Sequence, residues 1–316
     1  MRLIFSNSVH CLQPLLEKDD CPALSLRLLG QPLIIRNITI AKKVHDIDTV
    51  MVPEEYSHVI NLVQDNFPSI KIEEYYDETP GDLNGSNILY NNGSSVPLTV
   101  SKNYLEMPLN SVFHGSLDGS ILSADRITYP WELLNAMKKT LYEEVSHGTK
   151  ISPNASVSSS SVIDGPCIIE DNVTVDDFCK IKGPVYIGSG SLIGMGSLSR
   201  NCNIGDNTKI GFNCEIARSY FQGNDEIAHH NVILDSVIGN NVWFGGYTGT
   251  ANVLLNKKNI RYEIGGRELV DTGTNSFGTV IGNNSAVGAS VIILPGRQVP
   301  TNAVVQAGTI VGKKVS

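Results

Sequence analysis

Two polar stretches hold the residues best equipped for chemistry. Residues 217–235 read ARSYFQGNDEIAHHNVILD and carry the adjacent pair His229-His230 together with Arg218. Residues 252–277 read NVLLNKKNIRYEIGGRELVDTGTNSF and bring Asn252 and Lys258. Imidazole titrates near neutral pH, so a histidine in such a setting suits removal of a proton from an attacking amine or alcohol. Two neighbouring histidines do not discriminate between those nucleophiles. Thiolate–metal chemistry has no comparable support. The six cysteines, Cys11, Cys21, Cys167, Cys179, Cys202 and Cys214, form no Cys-x-x-Cys pair. Reduced, half-buried thiols are expected, with Cys202 and Cys214 stacked on one face of a repeat.

The elements that must position these residues are legible as a repeat. Branched apolar residues recur six apart at Ile169, Val175, Ile181, Ile187 and Ile193. After a slip of one residue they resume at Ile204, Ile210 and Ile216, return at Ile238 and Phe244, and run again from Ile281 to Val311. A glycine often follows, as at Gly188, Gly194, Gly205, Gly211, Gly245 and Gly288. Six residues fit neither a helical period nor a flat strand; they fit a short strand plus a turn. Three such units make a triangular coil, and coils stack in parallel into a β-helix. The glycines are expected to supply the backbone angles of the corners. Residues 217–235 and 252–277 break the period, so both are expected as loops leaving one face.

Composition divides at the same place. Of 29 glycines, 7 lie in residues 1–150 and 22 in 151–316. The first part mixes strand-like runs (LIF, TVMV) with helical ones (LIIRNITIAKKV, WELLNAMKKTLYEEV), which is α/β patterning. The fold expected is an α/β domain over 1–147 followed by a parallel β-helix over 148–316. The net charge of -8 argues against a nucleic-acid partner or an anionic membrane. No run approaches the ~18 apolar residues of a membrane span. The first residues read as a strand with no secretory signal, so a cytoplasmic protein is expected.

The run HHNVILDSVIGNNVWFGGYTGTANV, then KKNIRY, then VDTGTNSFGTVIGNNSAVG, then ILPG and VVQAG, resembles a known domain. It is similar to the acetyltransferase domain of the bifunctional sugar-1-phosphate nucleotidylyltransferase/glucosamine-1-phosphate N-acetyltransferase family, in its archaeal form. The resemblance covers about residues 150–316. It implies a left-handed β-helix of hexapeptide repeats, a homotrimer, and acetyl-CoA as co-substrate, with no metal needed for acetyl transfer. The family pattern His-x-x-Tyr-x-Gly-Asp-Ser falls on residues 229–236, which places His229 as general base. Glu215, Arg218, Asn252 and Lys258 fall at or beside acceptor-binding positions. Gly288, Ala289, Ala307 and Gly308 fall where backbone amides hold the thioester and pantetheine. The departures lie on the acceptor side. Val232 replaces a Tyr, Trp243 an Asn and Ala217 a Lys, and the phosphate-binding Arg falls on Ser199, beside Arg200.

The N-terminal part resembles a nucleotidylyltransferase domain whose chemical residues are gone. Asn7 and Val9 stand for the glycines of its phosphate loop, Cys11 for an Arg and Cys21 for a Lys, while Pro14, Pro22 and Gly30-Gln31-Pro32-Leu33 keep its frame. Asp82 and Asp125 are expected in loops, and Lys313 and Lys314 in a solvated tail. The implied function is acetyl-CoA-dependent N-acetylation of an amino sugar phosphate or nucleotide-linked amino sugar, with nucleotidyl transfer lost. The alternative is a non-catalytic binding or regulatory subunit.

Overall fold

The computed structural model describes residues 1–6, 12, 14–15, 25–54, 59–75, 88–90, 98–100, 104–108, 111–115, 122–264 and 268–312. The residues read above as a degraded phosphate loop, Asn7, Val9, Cys11 and Cys21, lie outside the described residues, as do Pro22, Asp82, Lys313 and Lys314. Two compact units emerge. One holds Met1–His10, Asp19–Arg27 and Gln31–Thr128; the other holds Cys11–Lys18, Leu28–Gly30 and Tyr129–Ser316.

The first unit is built on a six-stranded mixed sheet. Its strands are β1 (Arg2–Ser6), β2 (Thr49–Pro53), β3 (Lys71–Tyr75), β4 (Ile88–Tyr90), β5 (Leu98–Val100) and β6 (Tyr104–Pro108), in the order β3-β2-β1-β6-β5-β4. β1, β2, β3 and β6 run parallel, and β5 is antiparallel to both neighbours. Helix α1 (Leu33–Val44) precedes β2, and α2 (Val59–Asn66) precedes β3, so the parallel part is α/β in order. Its core joins Leu3, Val50 and Val52 to Ile34, Ile38 and Ala41 of α1 and Val63 of α2. Asp125 is in a strand, Leu122–Arg126, paired antiparallel with Ser111–Gly115, and its carboxylate lies 3.0 Å from buried His114.

The second unit is the expected solenoid. Three parallel sheets of eight strands each form its faces. Face I begins at Lys150–Ile151, face II at Ser156–Val157 and face III at Val162–Asp164. Ile169, Ile187, Ile204, Phe221, Ile238, Ile281 and Val299 follow one another up the inside of face I. The interior is aliphatic and fully closed to water through most coils. Burying each such side chain contributes roughly 1.5–3 kcal/mol. Helix α3 (Pro130–Thr140) leads into it and packs against the face I strand Val237–Asn240.

Besides Asp125, which is in a strand and not in the expected loop, three expectations need correcting. Residues 217–235 are no loop. Tyr220–Gly223, Glu226–Ile227 and Val232–Leu234 pair in register on faces I, II and III. Phe221 fills the slot of an isoleucine, and the six-residue step continues to Ile227 and Ile233. The glycines after the aliphatic residues do not serve backbone angles either, since none of them has positive φ. They are small because the next coil passes too close. A Cβ on Gly245 would stand 2.4 Å from the backbone nitrogen of Ala289, and one on Gly288 2.5 Å from that of Ala307. The left-handed angles fall two residues later, largely on asparagine: Asn172, Asn207, Asn224, Asn241, Asn284 and Asn302 line the corner between faces I and II. Asparagine tolerates that region better than most residues. Finally, Cys202 and Cys214 do not stack. Both are buried and free, but one precedes a face I strand and the other a face III strand. Burial pushes the Cys202 thiol up to about 12.

Residues 252–277 do leave the solenoid. They connect face III to face I and contain a hairpin, Arg261–Ile264 with Glu268–Asp271. Tyr262 and Phe277 are buried and meet Trp131 of α3 edge-on, with ring centres 5.7 and 6.3 Å away. The excursion is thereby packed onto the helix.

Candidate active site at a solenoid corner

His229 sits at the corner between faces II and III. A ladder of backbone bonds defines this corner: Asn213 N–H to Met195 O, His230 to Phe212, Tyr247 to His229, Ser290 to Gly246 and Gly308 to Ala289. Phe212, His229, Gly246, Ala289 and Ala307 therefore occupy equivalent turn positions on successive coils. Adjacent strands of a sheet are about 4.8 Å apart, so Ala289 lies about 10 Å and Ala307 about 14 Å from His229 along this edge. The structure thus brings His229 together with the four residues expected to hold the donor, Gly288, Ala289, Ala307 and Gly308.

The amide groups of this corner differ along its length. Phe212 N–H donates to Nδ1 of His229 at 3.2 Å. Among the described residues, the N–H groups of Gly246, Ala289 and Ala307 have no protein acceptor. The reason is in the sequence. A turn amide is capped when the next coil offers a short polar side chain, as Asp206 does for Ser189 and Asn283 for Asn240 at another corner. Above Gly246 and Ala289 the next coil offers only Ala289 and Ala307. The result is a row of free donors along the edge that holds an imidazole; the first of them, Gly246, lines an open depression of about 370 Å³ together with Phe212, Ala228, His229, His230 and Tyr247.

The bond to Phe212 also fixes the imidazole. Nδ1 accepts, so the neutral ring carries its proton on Nε2 in this arrangement. Base action requires His229 to release the Phe212 amide and expose a lone pair. His230 is held separately, by Asn213 Nδ2 at 3.1 Å from its Nδ1 and by stacking on Tyr247.

The expected acceptor residues gather elsewhere, at the corner between faces III and I. Arg218, Asp235 and Asn252 lie 17 residues apart, one coil each. Arg218 donates from Nε and Nη2 to the two oxygens of Asp235 at 2.8 and 2.7 Å. Asn252 Nδ2 donates to the same carboxylate at 2.7 Å, and Ser276 Oγ at 2.9 Å. Asp235 is almost wholly buried. Burial alone would raise its pKa, but hydrogen bonds from Arg218, Asn252 and Ser276 outweigh it and hold the carboxyl below its ordinary value. Lys138 of α3 approaches to 3.9 Å. Burial lowers the Lys138 pKa, and the Arg218 charge adds to this while Asp235 opposes it. Glu215 is bound to Arg200, with Nη2–Oε1 at 2.5 Å, on face III. Lys258 is exposed in the excursion, its backbone N–H tied to Asn256. So Arg218 and Asn252 share one cluster, Glu215 is beside it through Arg200, and Lys258 is apart.

Asp235, Ser276, Lys138 and Tyr247 were not singled out as site residues from the sequence. The signal that finds two of them is the 17-residue step: 218–235–252 and 213–230–247. Among the described residues no group of three or more His, Cys, Asp or Glu is placed to hold a metal, and no helix is long and apolar enough to cross a membrane.

Corner glycines, six-residue steps and a three-faced parallel solenoid define a hexapeptide-repeat fold. Residues 166–198 match the family described as bacterial transferase hexapeptide (six repeats). Among curated proteins the chain is similar to the bifunctional protein GlmU of Methanococcus vannielii, 33% identical over 101 residues that make up 32% of this chain and 24% of that one. It is also similar to the bifunctional sugar-1-phosphate nucleotidylyltransferase/acetyltransferase of Sulfurisphaera tokodaii, 32% identical over 101 residues, 32% of this chain and 25% of that one. The match thus spans about a quarter of the length of these relatives. Among solved structures, a putative acetyltransferase of Bacillus cereus aligns over 48% of this chain and 71% of its own, at 17% identity and a TM-score of 0.31.

Proposed function

We propose that the chain is an acetyl-CoA-dependent acyltransferase whose acceptor is an amino sugar phosphate or a nucleotide-linked amino sugar. The observation that carries this reading is the run of uncapped amides at Gly246, Ala289 and Ala307 on the edge that holds His229. An extended donor with spaced carbonyl groups finds hydrogen-bond partners along such a row, and small side chains let it approach the backbone. The amine nitrogen attacks the thioester carbonyl, His229 takes the ammonium proton, and the thiolate leaves with the carbonyl re-formed. A corner amide near the carbonyl stabilises the oxyanion between those events. The name of the Sulfurisphaera tokodaii relative, which joins sugar-1-phosphate nucleotidylyltransferase and acetyltransferase, supports a sugar phosphate as acceptor.

We read Arg218 and Asn252 as acceptor residues held by Asp235, and Glu215 and Lys258 as further acceptor contacts. Since their corner is a full strand of face III from His229, the site is completed in a homotrimer, where a neighbouring copy brings the two corners together. Nucleotidyl transfer is absent in this reading. The Pro14 carbonyl accepts from Thr301 at 2.7 Å and Leu15 from Asn283 at 3.1 Å, so the segment that frames a phosphate loop in the resembled domain serves here to fasten the chain to the solenoid.

A thiol-release assay with acetyl-CoA against a panel of amino sugar phosphates and nucleotide-linked amino sugars, on wild type and His229→Ala, tests the reading. Acceptor-dependent release that the substitution abolishes supports it; release indifferent to His229 removes that residue from the base role. One observation favours a second reading, a non-catalytic binding subunit: His229 caps Phe212 just as Asp206 and Asn283 cap their neighbours, which is a structural task. Absence of acetyl-CoA binding in calorimetry would select it.

A further inference from the structure

The turn positions at the His229 corner show a second irregularity. Successive coils place Phe178, Gly196, Asn213, His230, Tyr247, Ser290 and Gly308 in the left-handed region, and of the aromatic three only His230 and Tyr247 stack on each other. Glycine, asparagine and serine belong to the solenoid's ordinary needs. His230 at φ +59° and Tyr247 at φ +61° do not, and a bulky side chain held there strains the backbone. The two rings are moreover arranged. The imidazole stacks on Tyr247 with centres 4.8 Å apart and planes 17° from parallel, and it stands edge-on to Phe212 at 5.1 Å. Asn213 fixes its rotation through Nδ1. Beyond Tyr247 the column drops at once to Ser290 and Gly308. The phenol is therefore backed on one side, unsupported on the other, and 65% exposed where it borders the depression that contains His229.

Resting on the acyltransferase reading, we propose that Tyr247 is a stacking platform for the pyranose ring of the acceptor. The negative face of an aromatic ring attracts the C–H-bearing face of a sugar. The fixed His230 behind it removes the entropic cost of ordering the platform on binding. A residue that strains the backbone at the edge of a pocket, where asparagine would fold more easily, is thereby given a function.

The test compares Tyr247→Asn with Phe178→Asn. Phe178 is an exposed aromatic residue at the same turn position, also with positive φ, four coils away. Both variants ease the backbone, so both should melt no lower than wild type. Tyr247→Asn should raise the KM for a glucosamine-1-phosphate acceptor at least about tenfold, with a smaller change in kcat and in the KM for acetyl-CoA; Tyr247→Phe should retain most of the affinity. Phe178→Asn should leave all three constants in place. An unchanged acceptor KM in Tyr247→Asn, or an effect confined to acetyl-CoA, overturns the platform while leaving the acyltransferase reading intact. Saturation-transfer NMR with glucosamine-1-phosphate separates the other case. Binding that depends on Tyr247 in a protein that transfers no acetyl group upholds the platform and rejects the reaction. Absence of binding rejects both.

Discussion

Two corners of one coil, six residues apart, are made in opposite ways. At His229 the backbone is open: amides go uncapped, the neighbouring side chains are hydrogen or methyl, and aromatic rings project into solvent. At Asp235 everything is closed: a buried carboxylate is engaged by Arg218, Asn252 and Ser276 and approached by Lys138. The contrast shows how a uniform repeat becomes specific. The solenoid supplies identical turns, and chemistry depends on which turn is left unsatisfied and which is tied down.

The comparison can be broken most forcefully at the closed corner. Asp235→Ala leaves the Arg218 guanidinium and the Asn252 amide without their shared acceptor. Removing one member of a buried pair costs about 3–5 kcal/mol, and the partial exposure of Arg218 places this case at about 3. Chemical denaturation should show that loss, with increased hydrogen exchange in residues 252–277. At the open corner the largest expected effect is kinetic. His229→Ala should lower acetyl transfer at least ~100-fold. His229→Asn should lower it as far while keeping a side chain able to cap Phe212, so its free energy of unfolding should exceed that of the alanine variant by roughly 0.5–1.5 kcal/mol, one net hydrogen bond.

A second buried aspartate sharpens the contrast through pH. Asp225 is wholly buried, and burial pushes its carboxyl well above the usual range although the backbone N–H groups of Val242 and Gly223 donate to it. A folded pKa above the unfolded value, about 3.9, means stability falls as pH rises from there toward the folded value. Asp235 is the reverse: its contribution is present above about 3.9 and is lost as pH falls through its lower folded pKa. Asp225→Asn removes this pH dependence but offers one acceptor oxygen where the carboxyl offers two, so its stability relative to wild type should improve from pH 4 to pH 7 from a starting point lowered by the unpaired N–H. Asp235→Asn should destabilise it at pH 7 and converge with wild type in acid. Denaturation midpoints of both variants from pH 3 to 8 check the signs.

Much of the solenoid was legible because a six-residue period in branched apolar residues has no competing explanation. The failure at residues 217–235 came from one substitution: Phe221 is aromatic in an aliphatic slot, and the following glycine occurs later than usual. The glycines were misassigned because sequence cannot distinguish a residue that is small to turn from one that is small to let another chain pass. The site was legible only in part. His229 and the amide row follow from the resemblance, since backbone donors leave no side-chain signature. The Asp235 cluster is written in the sequence as a 17-residue spacing, but only once the coil length is known does that spacing mean contact.

Coil length itself has a final consequence. Between faces I and II, and between II and III, the aliphatic step is always six residues, as from Ile187 to Ile193 and from Ile210 to Ile216. Between faces III and I it is six at Ile181–Ile187, five at Ile233–Ile238, and 31 at Thr250–Ile281. All tolerance for added or removed chain is concentrated along one edge. A foreign peptide grafted there, at the turn formed by Asn201, should be carried without loss of register, whereas a single residue inserted at either other edge should reverse the inside and outside of every strand that follows on its coil.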